Sequence, residues 1–166
     1  MNRKDIVIGL VILAVIASVV FFSKKTKKSD LQVPSPSTSL EQRVEEKFKF
    51  TVPDDVDKVE LKDVSGGTSF AIATRKFEDG TFTQTILADL TDPASGEFYQ
   101  GWLVRGKEGE SNYSLVSLGK LQIAKGGYLL DFSASKDYSD YKTVVVSMEK
   151  VNDAKIETRL LEGSFE

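Results

Sequence analysis

The sequence predicts an all-β fold, an antiparallel β-sandwich preceded by one N-terminal transmembrane helix. Three observations carry that expectation. Ile6 to Phe22 reads IVIGLVILAVIASVVFF, an apolar run without a charge. From Val56 onward, about eight or nine short segments alternate with period two, separated by turn residues at roughly ten-residue intervals. Between those segments there is no helical periodicity, which a parallel sheet with crossover helices would need.

Residues 1–5 form a short tail, followed by the anchor at 6–23. As a helix the apolar run measures about 26 Å, at 1.5 Å per residue. A bilayer core is about 30 Å thick. Ser23 and the stems of Lys24 and Lys25 supply the remainder by snorkelling. A cleaved signal peptide is the rival reading. Signal h-regions are shorter and end at a small-x-small site. Here Ala14, Ala17 and Ser18 are followed by Val19, Val20, Phe21 and Phe22, so an uncleaved anchor is expected. The chain has no cysteine, which excludes a lipid-modified N-terminal cysteine.

Residues 24–39 begin with Lys24, Lys25, Lys27 and Lys28 and continue through SDLQVPSPSTS. Pro34, Pro36 and the Ser/Thr run cannot bury a core and read as an extended stalk. The four lysines favour a cytoplasmic C-terminal side. The stalk and the short tail Met1 to Asp5 favour the opposite orientation, with the main domain extracytoplasmic. The expected location is therefore the cell membrane, single-pass, with membrane lipid contacted through residues 6–23.

Residues 40–166 are expected to form one domain of ordinary size. The chain carries 22 basic and 25 acidic residues. Six of the basic and one of the acidic residues precede Ser29, leaving 16 against 24 and a charge of −8 beyond it. A surface so acidic argues against nucleic acid as a partner. There is no histidine, so serine–histidine and cysteine–histidine catalysis are excluded. So is a zinc site of His or Cys ligands.

A short helix is expected at 40–48. Ser39 can serve as N-cap with Gln42 as its capping-box partner. Leu40, Val44 and Phe48 then share a face, and Pro53 ends the element. Val59 and Leu61 alternate with Lys58, Glu60 and Lys62 in a first strand. Gly66-Gly67 breaks the chain before a strand from Thr68 to Lys76. Asp79-Gly80 is a hairpin signal, because such turns need positive φ. Thr81 to Asp89 returns, and Pro93 to Gly96 is a loop. EFYQGWLV, from Glu97 to Val104, is the most apolar stretch beyond the anchor. Arg105 to Ser111 is a polar loop. Tyr113 to Leu118 is a strand, and Leu121 and Ile123 extend it past Gly119. Gly126-Gly127 turns the chain into Tyr128, Leu130 and Phe132. Ser135 to Tyr141 is a polar turn, and KTVVVSMEK reads as a central strand by its β-branched content. Glu157 to Phe165 closes the chain. The general architecture expected is immunoglobulin-like.

Several of these stretches together resemble the extracytoplasmic C-terminal domain of anti-sigma-K factors. They are FYQGWLV (Phe98 to Val104), YSLVSLGKL (Tyr113 to Leu121), GGYLLDFS (Gly126 to Ser133), DYSDYKTVVVSMEK (Asp137 to Lys150) and LLEGSF (Leu160 to Phe165). The similarity spans residues 67–165. It implies a sensor-side domain in a bacterial cell envelope. In that family a cytoplasmic sigma-binding domain precedes the membrane helix. Only Met1 to Asp5 stand there in this sequence, so no sigma-factor binding is expected.

No catalytic, cofactor or metal residue is assigned. Trp102 could be a ligand platform, but a buried core tryptophan is expected. Asp54, Asp55 and Asp57, or Asp137 with Asp140, could hold calcium. Their spacing does not match an EF-hand loop, and turn capping is expected instead. Gly66-Gly67 and Gly126-Gly127 precede strands and lack a lysine-serine partner, so hairpin turns are expected rather than phosphate loops. Tyr99, Tyr113, Tyr128, Tyr138 and Tyr141 should mostly be half-buried, with the hydroxyl at a rim. No Ser-Lys pair stands out. The function expected is a non-catalytic interaction or sensory module with a protein partner in the envelope. The alternatives are a self-associating structural component of the envelope and an enzyme of unknown type.

Overall fold

The computed structural model of the protein describes residues 39–166. The tail, the apolar run Ile6–Phe22 and the stalk up to residue 38 lie outside the described residues. Among the described residues no helix is long and apolar enough to cross a membrane.

The helix α1 covers Leu40–Phe48 and its capping box forms. The Gln42 N–H donates to Ser39 Oγ at 3.2 Å, and the Ser39 N–H donates to Gln42 Oε1 at 3.2 Å. Two otherwise unpaired donors of the first turn are satisfied this way. The helix ends before Pro53, at Lys49, which takes the left-handed conformation and donates its N–H to the Glu45 carbonyl. Val44 and Phe48 are buried.

Nine strands follow: β1 Asp57–Asp63, β2 Phe70–Glu78, β3 Thr81–Asp89, β4 Phe98–Arg105, β5 Ser114–Lys120, β6 Gln122–Ala124, β7 Gly127–Ala134, β8 Thr143–Glu149 and β9 Thr158–Ser164. Asp79 and Gly80 have φ of 51° and 72°. This is the double positive φ of a two-residue hairpin whose twist matches its strands. The turn fixes the β2–β3 register from Phe70↔Asp89 to Glu78↔Thr81.

All strand pairs are antiparallel and join in one sheet, in the order β5-β4-β8-β9-β1-β2-β3-β7-β6. The two ends of that order, β5 and β6, are separated in the chain by Leu121 alone. One bent segment therefore pairs with β4 through its first half and with β7 through its second. The sheet is nearly barrel-like as a result. The bend falls where Leu118 has no partner on β4 and Gly119 has φ of 105°. A bulge of this kind sharpens twist and turns a corner.

The closure leaves a seam between Ser114–Ser117 and the far half of β7. Aromatic rings fill it from inside. Phe82, Phe132, Tyr138 and Tyr141 contact one another edge to face, with centroids 5.6–6.5 Å apart. The Tyr141 hydroxyl lies 2.9 Å from Ser114 Oγ.

The main core is the interior of the curled sheet. It includes Leu61, Phe82, Ile86, Leu103, Leu130, Val144, Val146 and Leu161, all buried. Gly101 shows how close the two sides come. A Cβ there would lie 2.9 Å from Leu130 Cδ1 and 3.1 Å from Ile86 Cδ1.

Two smaller clusters lie on the outer face. One joins α1 to the sheet through Val44, Phe48, Val52, Phe70, Ile72 and Leu87. The other contains Trp102, Val104 and Val145, with Tyr113, Leu115 and Ile156 packed against it. Trp102 is buried as the sequence suggests, but outside the main core. Along β4, Tyr99, Gly101 and Leu103 point inward, so Trp102 points outward and Ile156 of the β8–β9 connection covers it.

The turn after β1 depends on one carboxylate. Asp63 Oδ1 accepts from the Ser65 N–H and hydroxyl, both at 2.8 Å, and from the Gly67 N–H at 2.9 Å. Its Oδ2 accepts from the Ser69 N–H at 3.2 Å. Partial burial pushes this carboxyl up, but the four donors outweigh it and hold Asp63 below the ordinary value of 3.8. A carboxylate depressed in the folded state adds stability above its unfolded pKa, and that stability is lost as pH falls through the folded pKa. The advantage of the native protein over Asp63→Asn should therefore be full near neutrality and shrink in acid below about pH 4. Thermal melts of both proteins across that range check this. A difference that does not vary with pH would contradict it.

Candidate functional site

Each residue singled out in the sequence has a definite place. Asp55 binds Lys76 at 2.8 Å, and Asp54 lies 3.7 Å from Lys58. Asp57 accepts from Arg75 Nε at 3.3 Å. These three carboxylates pair with cations rather than capping turns. Asp137 does cap its turn, accepting from the Ser139 N–H and hydroxyl. Asp140 pairs with Arg105. Among the described residues no three carboxylates converge on one point. Gly66-Gly67 lies in the turn held by Asp63. Gly126 lies at the β6–β7 hairpin tip with Lys125, and Gly127 begins β7 opposite Ala124.

The tyrosines are more buried than the alternation suggests. Tyr99, Tyr128 and Tyr141 are all below a tenth exposed, while Tyr113 and Tyr138 are half-buried. Their hydroxyls tie loops to the sheet. The Tyr99 hydroxyl donates to the Thr91 carbonyl and that of Tyr128 to Asp92, each at 2.8 Å. Burial, followed by the Asp92 carboxylate, pushes the Tyr128 phenol up to about 12.

A buried polar column was not visible in the sequence. Gln100, Ser147 and Glu149 are all at most 1% exposed. The Trp102 indole N–H donates to Ser147 Oγ at 2.7 Å, and the Ser147 hydroxyl donates to Glu149. Both Glu149 oxygens lie 3.2 Å from the Glu157 N–H, which donates to them. Gln100 Nε2 donates to Ser117 Oγ at 3.1 Å. The column sits beneath the β8–β9 connection and pins it. Ser147 is fully buried, and its hydroxyl links the Trp102 indole to the carboxylate that holds this loop.

An apolar recess lies beside the C-terminal end of α1. It has a volume of about 300 Å³ and is lined by Phe48, Phe50, Thr85, Leu87, Ala124, Lys125, Leu129 and Asp131. Three elements build it. The helix covers the outer face at Ile72 and Leu87 and stops at Lys49. The chain then presents Phe50, which remains 45% exposed. The hairpin tip at Lys125-Gly126 closes the far side. The floor is apolar, from Leu87 and Leu129. The rim is polar: the Thr85 hydroxyl donates to Asp131 Oδ1 at 2.8 Å, and Lys125 is exposed. An apolar floor with a few polar groups at its edge is the usual form of a recognition pocket. Phe50 is one of several exposed large apolar side chains, and it lies against this apolar floor.

No family model matches the chain, and no curated protein or solved structure matches it.

Proposed function

We propose that this protein is a membrane-anchored recognition module of the cell envelope. Residues 6–23 hold it in the bilayer, residues 24–39 serve as a stalk, and the β domain binds a protein partner outside the cytoplasm without catalysis. In this reading the nearly barrel-like sheet works as a sandwich, immunoglobulin-like in its general architecture. The anti-sigma-K-like stretches fit a sensor-side role. Four of them lie on β4, β5, β7 and β9, and the fifth runs through the β7–β8 loop into β8, so they belong to the framework that carries the recess.

The observation that carries the proposal is the recess with Phe50 at its mouth. Partner recognition concentrates in apolar pockets that receive a few anchor side chains. About 300 Å³ admits one or two such side chains of a partner rather than a large ligand.

A photo-crosslinking amino acid in place of Phe50, in the full chain in its membrane, tests this. A discrete protein adduct is expected. Leu129→Arg, which puts a charge on the recess floor, should remove it. Absence of any adduct, or an adduct that persists with Leu129→Arg, would sink the recess as the binding surface.

A further inference from the structure

The strand order ends at β5 and β6, and these two end strands differ. β6 spans only Gln122–Ala124, with Lys120 and Lys125 beside it. Short, charge-flanked edges resist pairing with another chain. β5 is the opposite. From Tyr113 to Gly119 it reads YSLVSLG, with no charge and no proline. Its inner neighbour is β4; on its other side Ser114–Ser117 face the far half of β7 across the seam and pair with no strand. An uncharged, unpaired edge of this length is a template for strand addition.

We infer that this edge pairs with the same edge of a second copy of the chain, antiparallel and about a two-fold axis. The charges that bound β5 select that partner. The turn before it carries Glu108 and Glu110 against one lysine, Lys107, and all three are exposed. Lys120, also exposed, stands at its other end, 3.5 Å above the Phe98 ring. Antiparallel self-pairing brings the acidic end of each copy to the lysine end of the other, twice over. A parallel arrangement would set like charges together.

The faces also stay in phase. With the axis at Val116, Leu115 lies opposite Ser117 on the outer face and Ser114 opposite Leu118 on the inner face. The outer-face cluster of Trp102, Tyr113 and Leu115 would run from one copy into the next, as expected of an isologous contact. The inference goes beyond the proposed function and does not depend on the recess, which lies between the end of α1 and strands β3, β6 and β7.

The cysteine-free chain makes the test clean. In the full chain in its membrane, Ser117→Cys places two thiols close to the axis. A short bifunctional maleimide is expected to give a covalent dimer with Ser117→Cys and none with Thr81→Cys, an exposed position at the β2–β3 hairpin. Sedimentation of the detergent-solubilised full chain should show a dimer. Ser117→Lys, which sets two lysines across the axis, should convert it to monomer, with a melt that stays cooperative but is lowered because the buried Gln100 Nε2 loses its acceptor. Equal cross-linking at the two positions, no cross-linking at Ser117→Cys, or a dimer that survives Ser117→Lys would each overturn the inference.

Discussion

Replacing Trp102 with alanine should cost about 3–5 kcal/mol of stability, the range for emptying a large aromatic site. The residue is 1% exposed and packs with Val104, Val145 and Ile156. The loss has a second part. Without the indole N–H, Ser147 keeps its hydroxyl on Glu149 but loses the donor at 2.7 Å. The β8–β9 connection, which Glu149 pins through the Glu157 N–H, should loosen. Denaturant unfolding measures the first effect. Amide exchange at Lys150–Glu157 measures the second. Trp102→Phe restores most of the volume without the donor, so it separates the two. Wild-type stability in Trp102→Ala would place the side chain at the surface and reopen its reading as a ligand platform.

The second large effect is expected at Arg75, which is 4% exposed. Its Nη1 donates to the Ser139 carbonyl at 3.2 Å and to the Tyr141 carbonyl at 3.1 Å. Its guanidinium lies 3.9 Å over the Phe165 ring. One side chain on β2 thus holds the β7–β8 loop and the C-terminus. Arg75→Ala leaves two carbonyls without their donor and removes a cation from an aromatic face. Those losses should total on the order of 3 kcal/mol. Asp57 is well exposed, so the Arg75–Asp57 pair adds little to that figure. Arg75→Lys should recover only part, because an ammonium cannot reproduce the planar fork. A melt of Arg75→Ala within a degree of wild type would contradict this account.

How much of this was legible in the sequence depended on how local the determining interactions were. The α1 capping box needs only Ser39 and Gln42, three residues apart. The β2–β3 hairpin needs only Asp79-Gly80. Both form at the expected positions, and the period-two segments from Val59 onward form strands. The near-closure of the sheet was not legible. It depends on one segment, Ser114 to Ala124, choosing different partners for its two halves at the Leu118–Gly119 bulge. Alternation places Trp102 and Leu103 on opposite faces but does not say which faces the interior. The β8–β9 connection settles that by covering Trp102. The recess was hidden for the same reason. Phe50, Leu87 and Leu129 are far apart in the chain and meet only once α1 stops at Lys49. Asp54, Asp55 and Asp57 read as turn residues because Lys58, Arg75 and Lys76 reach them only in the folded sheet.

The central claim is that the β domain is displayed outside the cytoplasm on a membrane anchor. Lys24, Lys25, Lys27 and Lys28 oppose that orientation. Flanking charge only weakly restrains the translocation of a long domain, and the Pro/Ser/Thr stalk favours display. Ser35→Cys introduces a single thiol in the stalk of a chain that has none. A membrane-impermeant maleimide applied to intact cells should label it. Labelling that appears only after lysis would place the domain in the cytoplasm and contradict the account.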